Sequence, residues 1–274
     1  MLEINKIHQG NCLELMKDIP DKSVNLVLCD LPYGTTACKW DSVIPLEKLW
    51  YEYNRILKDC GVIVLTASQP FTSVLVMSNP KMFKEELCWL KNKSGSGLLV
   101  KQKHLKVHEE ILIFAKNGKY TYNPQKWGVE DKQFLTQRKT LSIYGGGNQI
   151  YGSMNMNRIP DEGTRNPISI LAYRVPHNPS KSKSYSNKFD IRKHPTQKPI
   201  KLFDYLVKTY SNEGDLILDN CIGSGTTAES CIKNNRKFIG IEKEEDFVKI
   251  AQNRVLSLLP LAENSKEVRH SPHQ

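Results

Sequence analysis

The chain of 274 residues lacks any C-x-x-C pair, and its seven cysteines, Cys12, Cys29, Cys38, Cys60, Cys88, Cys221 and Cys231, are odd in number and scattered. That spacing argues against a disulfide framework and against a zinc site. Buried, reduced thiols are the expectation, as in an intracellular protein. The chain also lacks any run of about 18 apolar residues, so no membrane-spanning helix is expected. The opening MLEINKIHQG has no apolar signal segment, which leads to a cytoplasmic expectation. No internal repeat is visible. Hydrophobic residues still make up 39%, enough for a substantial core.

What the chain has in excess is positive charge. The net charge is +10, from 39 Lys and Arg against 29 Asp and Glu. Residues 91–190 alone hold 17 basic and 7 acidic residues, so the whole excess sits there. Tyr122, Trp127, Tyr144, Tyr151 and Tyr173 are interleaved with it. A basic, aromatic-studded region points to nucleic acid.

Two stretches alternate like α/β structure. In residues 1–116, the run VNLVLCD (24–30) reads as a buried strand. Leu46, Leu49, Trp50, Tyr53, Ile56 and Leu57 recur at helical spacing, and Gly61 reads as the stop after that helix. VIVLTA follows as a strand, and 70–78 as a helix opened by Pro70. ELCWLK and EEILIFAK read as two more strands around a basic loop, 91–106. From 194 onward the rhythm returns, with a helix at PIKLFDYLVKTY, a strand at DLILDN, a helix over 224–233, the strand KFIGIE and the helix EEDFVKIAQNRV. Between them, 117–193 loses the pattern; SIYGGGNQIYGSMNMNR is rich in Gly, Ser and Asn, as in a linker or in a loop ordered by its partner. The expected division is 1–116 and 194–260 as two halves of one core, 117–193 as an insert and 261–274 as a frayed tail.

Two signatures carry chemistry. Asp30 closes the first strand, and Pro32 cannot continue it because it has no N–H for the ladder. Asp30, Leu31, Pro32 and Tyr33 should form a stiff turn at the strand's carboxyl edge, where α/β sheets bind ligands. Alone, this turn reads equally as a capped bend or as a catalytic one. The second signature is NCIGSGTT after the strand DLILD. Gly223 and Gly225 let backbone approach a ligand, and the following helix offers free N–H groups. Glu242 ends the next strand, placed to accept the two hydroxyls of a ribose. Position 228 is Ala where a dinucleotide fingerprint has its third glycine; the fingerprint permits Ala there, so a dinucleotide stays open beside a ligand with an adenosine and no pyrophosphate.

In this order the blocks resemble the amino-group DNA methyltransferases of the β arrangement. There a catalytic D-P-P-Y motif precedes the DNA-recognition segment, and the S-adenosylmethionine motif F-x-G-x-G follows it. DLPY at 30–33 is similar to the first and CIGSG at 221–225 to the second. HPTQKP at 194–199 and the opening GNCLELMKDIPDKSVNLVLCD are similar to two further blocks, and HEEILIFAK resembles adenine-specific members. The resemblance spans about residues 5–255. Departures are Leu31 for the first proline, Asn11 for an acid, and Asn220 and Cys221 for Pro and Phe.

The resemblance implies a Rossmann-like S-adenosylmethionine-dependent sheet with circularly permuted motif order and a basic recognition insert. It implies catalysis by Asp30, Leu31, Pro32 and Tyr33. It implies cofactor contacts from Asn11, Cys12, Asp30, Thr196, Lys198, Asp219, Cys221, Gly223, Ser224, Gly225, Thr226 and Glu242, and no metal. Lys101, Lys103, His104, Arg138, Arg158, Arg165 and Arg174 are the expected contacts to double-stranded DNA. The expected substrate is adenine N6, because Asp30 stands where the cytosine-N4 group more often has serine. Cytosine N4 and, further off, RNA remain alternatives, as does a homodimer. The Gly145–Gly147 run is expected to order on DNA.

Overall fold

Strand β2 (Val24–Asp30) is buried along most of its length, as its unbroken aliphatic run requires of a strand covered on both faces. It lies between β9 (Leu216–Asp219) and β3 (Leu57–Ala67), parallel to both. The computed structural model describes residues 1–36, 38, 41–94, 100–128, 164–176 and 197–258. They divide into two units, Met1–Asn123 with Ser169–Gln274, and Pro124–Ile168.

The first unit carries the sheet. Beyond β9 lie β10 (Lys237–Glu242) and β1 (Lys6–Gln9), both parallel. Beyond β3 lie β5 (His108–Ala115), β4 (Phe83–Leu90) and β8 (Ile170–Ala172). Among the described strands of this sheet only β5 runs against its neighbours: it is antiparallel to β3 and β4, and β8 is parallel to β4. In the second unit, β6 (Trp127–Gly128) pairs antiparallel with β7 (Thr164–Arg165). Residues 117–123 and 169–176 of the expected insert thus fall in the unit with the sheet.

Chain direction explains the two layers of helices. From β2 the chain moves one way to β3; from β9 it moves the other way to β10. Right-handed crossovers in opposite directions put helices on opposite faces. Side-chain alternation agrees. Val27 and Cys29 face the side of α1 (Cys12–Leu15), α2 (Leu46–Ile56) and α3 (Phe71–Ser78), packing among Met16, Leu49, Tyr53 and Leu75. Leu26 and Leu28 face α4 (Ile200–Tyr210), α5 (Thr226–Lys233) and α6 (Glu245–Leu256), among Leu202, Leu206, Ala228 and Ala251. The strand order reverses direction between β9 and β2, so a crevice opens at their carboxyl ends.

One local expectation needs correction. Gly61 does not end α2; the helix stops at Ile56 and Leu57 already has extended geometry, φ −73° and ψ 132°. Gly61 lies inside β3, where a Cβ would sit 2.7 Å from Leu57 Cδ1 and 3.0 Å from the Asn25 carbonyl. The glycine allows a close approach beside the register shift between Val24 and Leu26.

Candidate active site

The crevice at the switch point is a cavity of about 750 Å³. Asn11, Cys12, Asp30, Leu31, Pro32, Tyr33, Lys198, Asp219, Cys221, Gly223, Ser224, Thr226 and Glu242 all line it. The two signatures, with Asp30 and Gly223 separated by 193 positions in the chain, meet because β2 and β9 are neighbours in register, Val27 beside Leu218.

The acidic end is built on three strands. Asp30 at the end of β2 stands in register with Thr66 near the end of β3. Because β5 is reversed, its first residues, His108, Glu109 and Glu110, arrive at this same edge, Glu110 opposite Ala67. The Thr66 hydroxyl donates to Asp30 Oδ1. The Tyr33 hydroxyl donates to the same oxygen at 2.7 Å and lies 3.0 Å from Thr66 Oγ1. Lys198 Nζ donates to Asp30 Oδ2 at 2.6 Å and is 3.5 Å from Glu109 Oε2. Lys91 Nζ donates to Glu109 Oε1 at 2.8 Å. The result is a chain of alternating charge: Lys91, Glu109, Lys198, Asp30. Burial works to neutralise Lys198, but Asp30 and Glu109 outweigh it and hold the ammonium above its usual pKa. Burial likewise raises the Glu109 carboxyl, and Lys198 and Lys91 outweigh that, holding it below its usual range.

Tyr33 is fixed by more than its hydroxyl. Its ring stacks on Phe71, centroids 5.5 Å apart at 24°, and Lys198 Nζ lies 5.7 Å from its centroid. Burial first, then the Asp30 charge, push the phenol up, so it remains a donor. Past the turn, Asp41 accepts from the backbone N–H groups of Gly34, Thr35 and Thr36 at 2.7–2.9 Å. Those three bonds hold the chain that follows Tyr33 against the cavity wall.

The glycine end is braced from beneath. Asp219 accepts the Thr227 hydroxyl and the Cys221 N–H, tying the strand end to the start of α5. Gly225 has φ +81°, and its missing Cβ would meet Ala251 Cα and Cβ at 3.2 Å; this glycine is demanded by both backbone and packing. Gly223, at φ +52°, has no neighbour closer than 4.0 Å to its would-be Cβ. It donates its N–H to Glu242 Oε2 at 2.9 Å, while Glu242 Oε1 accepts from Lys243 and Glu244. Both lone pairs of Glu242 Oε1 are thereby engaged, and Oε2 keeps one for a hydroxyl. Buried Arg254 pairs with Glu229 and donates to Ser224 and Thr226, clamping the loop to α6. Cys12 and Cys29 both touch Cys221; burial drives Cys29 up to about 12, so these thiols pack rather than react.

Some expected residues have a second role or lie elsewhere; Gly225 does not line the cavity. Asn11 lines the cavity, and its side chain also caps α1, accepting the Leu13 N–H at 2.9 Å. Lys101, Lys103, His104 and Arg174 are exposed and do not line the cavity. Arg165 is on β7 in the second unit. Thr196, Arg138, Arg158 and the Gly145–Gly147 run lie outside the described residues. Sequence reasoning missed Glu109, Thr66 and Lys91. An acid at the head of the HEEILIFAK strand was the available signal for Glu109; nothing in the sequence marked Thr66.

Known proteins agree with this architecture. The family model of N6/N4 DNA methylases matches residues 24–253. The DNA adenine methyltransferase YhdJ of Escherichia coli (strain K12) is 30% identical over 92% of this chain and 83% of that protein. Among solved structures, the M1.HpyAVI–SAM complex superposes with a TM-score of 0.59 at 21% identity, covering 91% of this chain and 98% of that one. The cytosine-N4-specific PvuII DNA methyltransferase superposes with a TM-score of 0.61 at 15% identity, covering 92% and 90%. At such identities the two structures speak for the fold alone. With the family model spanning most of the sheet and both signatures, the chain belongs to the amino-group DNA methyltransferases, the N6/N4 DNA methylase family.

Proposed function

We propose that this protein transfers a methyl group from S-adenosylmethionine to the exocyclic N6 amine of an adenine flipped out of duplex DNA. The observation that carries the reading is that Asp30 and Tyr33 share one cavity with Gly223 and Glu242. A volume of about 750 Å³ leaves room for an adenosine and a second base. The open side of Gly223, the Glu242 carboxylate and the N-terminus of α5 suit the adenosine part of the cofactor. Asn11, Cys12, Asp219, Cys221, Ser224 and Thr226 complete that end. S-Adenosylmethionine, when bound, supplies a methyl group on a sulfonium that departs as a neutral thioether.

An exocyclic adenine amine is a weak nucleophile because its lone pair is delocalised into the ring. Two fixed acceptors on its N–H groups favour tetrahedral nitrogen and free that pair. The Asp30 carboxylate and the Leu31 carbonyl have these roles. The carboxylate orients; after transfer the nitrogen gives its surplus proton to solvent. Tyr33 offers the base a ring already held by Phe71 and Asp30. Stacking of this kind is worth about 1–3 kcal/mol, against a few kcal/mol for extruding the base. Pro32 keeps the turn stiff.

Asp30 and the 30% identity to a protein named as an adenine methyltransferase favour adenine over cytosine. The test is to incubate the protein with S-adenosylmethionine labelled in its methyl group and with plasmid DNA, then digest to nucleosides. Label in N6-methyldeoxyadenosine is expected, and Asp30→Ala should lose it by a factor of at least about 10². Label in N4-methyldeoxycytidine would overturn the base assignment, and unlabelled DNA the whole reading.

A further inference from the structure

We propose that Glu109 is a positioning residue that draws the Lys198 ammonium off Asp30 as the target amine enters. The inference rests on the methyltransferase reading above and assigns a role to a residue that the reading leaves unused.

Asp30 is crowded. A carboxylate offers about four lone-pair positions. Thr66 and Tyr33 take two on Oδ1, and Lys198 takes one on Oδ2. An amine N–H must therefore bind Oδ2 beside an ammonium. Both are donors, and the amine nitrogen gains positive charge as the methyl group arrives. With Lys198 buried, this repulsion is less screened than in bulk water. An Asp30 still paired with Lys198 is also a poor acceptor, its charge already matched.

Glu109 offers the way out. Its Oε1 is held by Lys91, but Oε2 is buried and has no hydrogen-bond partner among the described residues. A buried acceptor held only by a long ion pair is under-satisfied. This one sits 3.5 Å from Lys198 Nζ, on the cavity wall and opposite Asp30. A shift of Nζ by roughly 1 Å, within reach of a flexible four-carbon stem, would exchange a strong bond to Asp30 for one to Glu109. The move keeps one ammonium between the same two carboxylates, so no new charge is buried and the exchange is cheap. Lys91 fixes the receiving carboxylate in place. Asp30 is thereby held ordered without substrate and released as an acceptor with it.

Glu109→Gln removes the charge that draws Lys198 away and keeps the shape. Its kcat should fall by about tenfold or more, with the affinities for S-adenosylmethionine and duplex DNA within about twofold of wild type. The groups facing Lys198 are Asp30, Glu109, Tyr33 and, through Glu109, Lys91. With Glu109 neutral, deprotonating Lys198 is the remaining way to free Asp30. The rate of the variant should therefore climb toward wild type as the pH rises into the lysine range. Glu109→Asp, which keeps the charge, should retain a larger share of kcat, and it serves as the probe should the Gln protein fold poorly. Wild-type kcat in Glu109→Gln, or equal losses at every pH in both variants, overturns the proposal while wild-type methylation still stands. Inactive wild-type protein would instead sink the methyltransferase reading.

Discussion

Asp219 is a carboxylate with almost no water. It is 3% exposed, and burial lifts its pKa from 3.8 to about 7, against the pull of the Thr227 hydroxyl and the Cys221 N–H. The folded chain thus holds this proton more tightly than the unfolded one. The associated stability is complete below the unfolded value of 3.8 and is lost as pH rises through 7. Asp219→Asn removes this dependence. In urea titrations at about pH 5 and pH 8, the Asn variant should gain on wild type at the higher pH. A gap between the two proteins that is the same at both pH values would mean that Asp219 does not titrate there. Single residues also mark how far a sequence can be read. Asp30, Tyr33, Gly223 and Glu242 stood in short, ordered strings. Lys198 was expected at the cofactor, yet its nearest charges are Asp30 and Glu109, because an ion pair across 168 residues leaves no local pattern. Period-two alternation puts Glu109 and Glu110 on opposite faces of a strand. It does not say which face meets the site.

At the scale of elements, strands with strong aliphatic runs were legible and weak ones were not. VNLVLCD, DLILD and KFIGIE have apolar content that only a buried strand explains. β1 is KIHQ and β8 is ILA, four and three residues that carry no periodicity of their own. Each forms because a neighbour, β10 or β4, presents an open edge. The reversal of β5 was equally hidden, since direction follows from the 91–106 connection rather than from HEEILIFA. The loop from β9 to α5 shows local and tertiary demands coinciding. Gly225→Ala would place a methyl group 3.2 Å from Ala251 at a backbone angle of +81°. A loss of about 1–3 kcal/mol is expected from the backbone strain alone, read as a lower midpoint in thermal unfolding. Gly223→Ala meets open space, so its stability should suffer less and its affinity for S-adenosylmethionine more, read by calorimetric titration. A Gly225→Ala protein as stable as wild type would show that α5 and α6 part easily.

For the whole molecule, the question is which surface reads the DNA. The chain has +10 net charge, and residues 91–190 account for it. Phosphate contacts give affinity to any duplex, and a smaller set of side chains reads base edges. Arg can grip a guanine edge with two bonds, whereas Lys serves more often as a point charge on phosphate. We propose that Arg138, Arg158, Arg165 and Arg174 read base edges and that Lys101 and Lys103, exposed in the loop before β5, supply backbone affinity. The assay is methylation of a randomised duplex library by single alanine variants. A base-reading Arg→Ala should relax one position of the preferred site, at a cost of about 1–3 kcal/mol. Lys101→Ala or Lys103→Ala should weaken all sequences alike and reduce the salt slope by about one. If the arginine variants leave sequence preference intact while the lysine variants change it, recognition belongs to residues 91–106, of which Lys91 and Lys93 line the cavity.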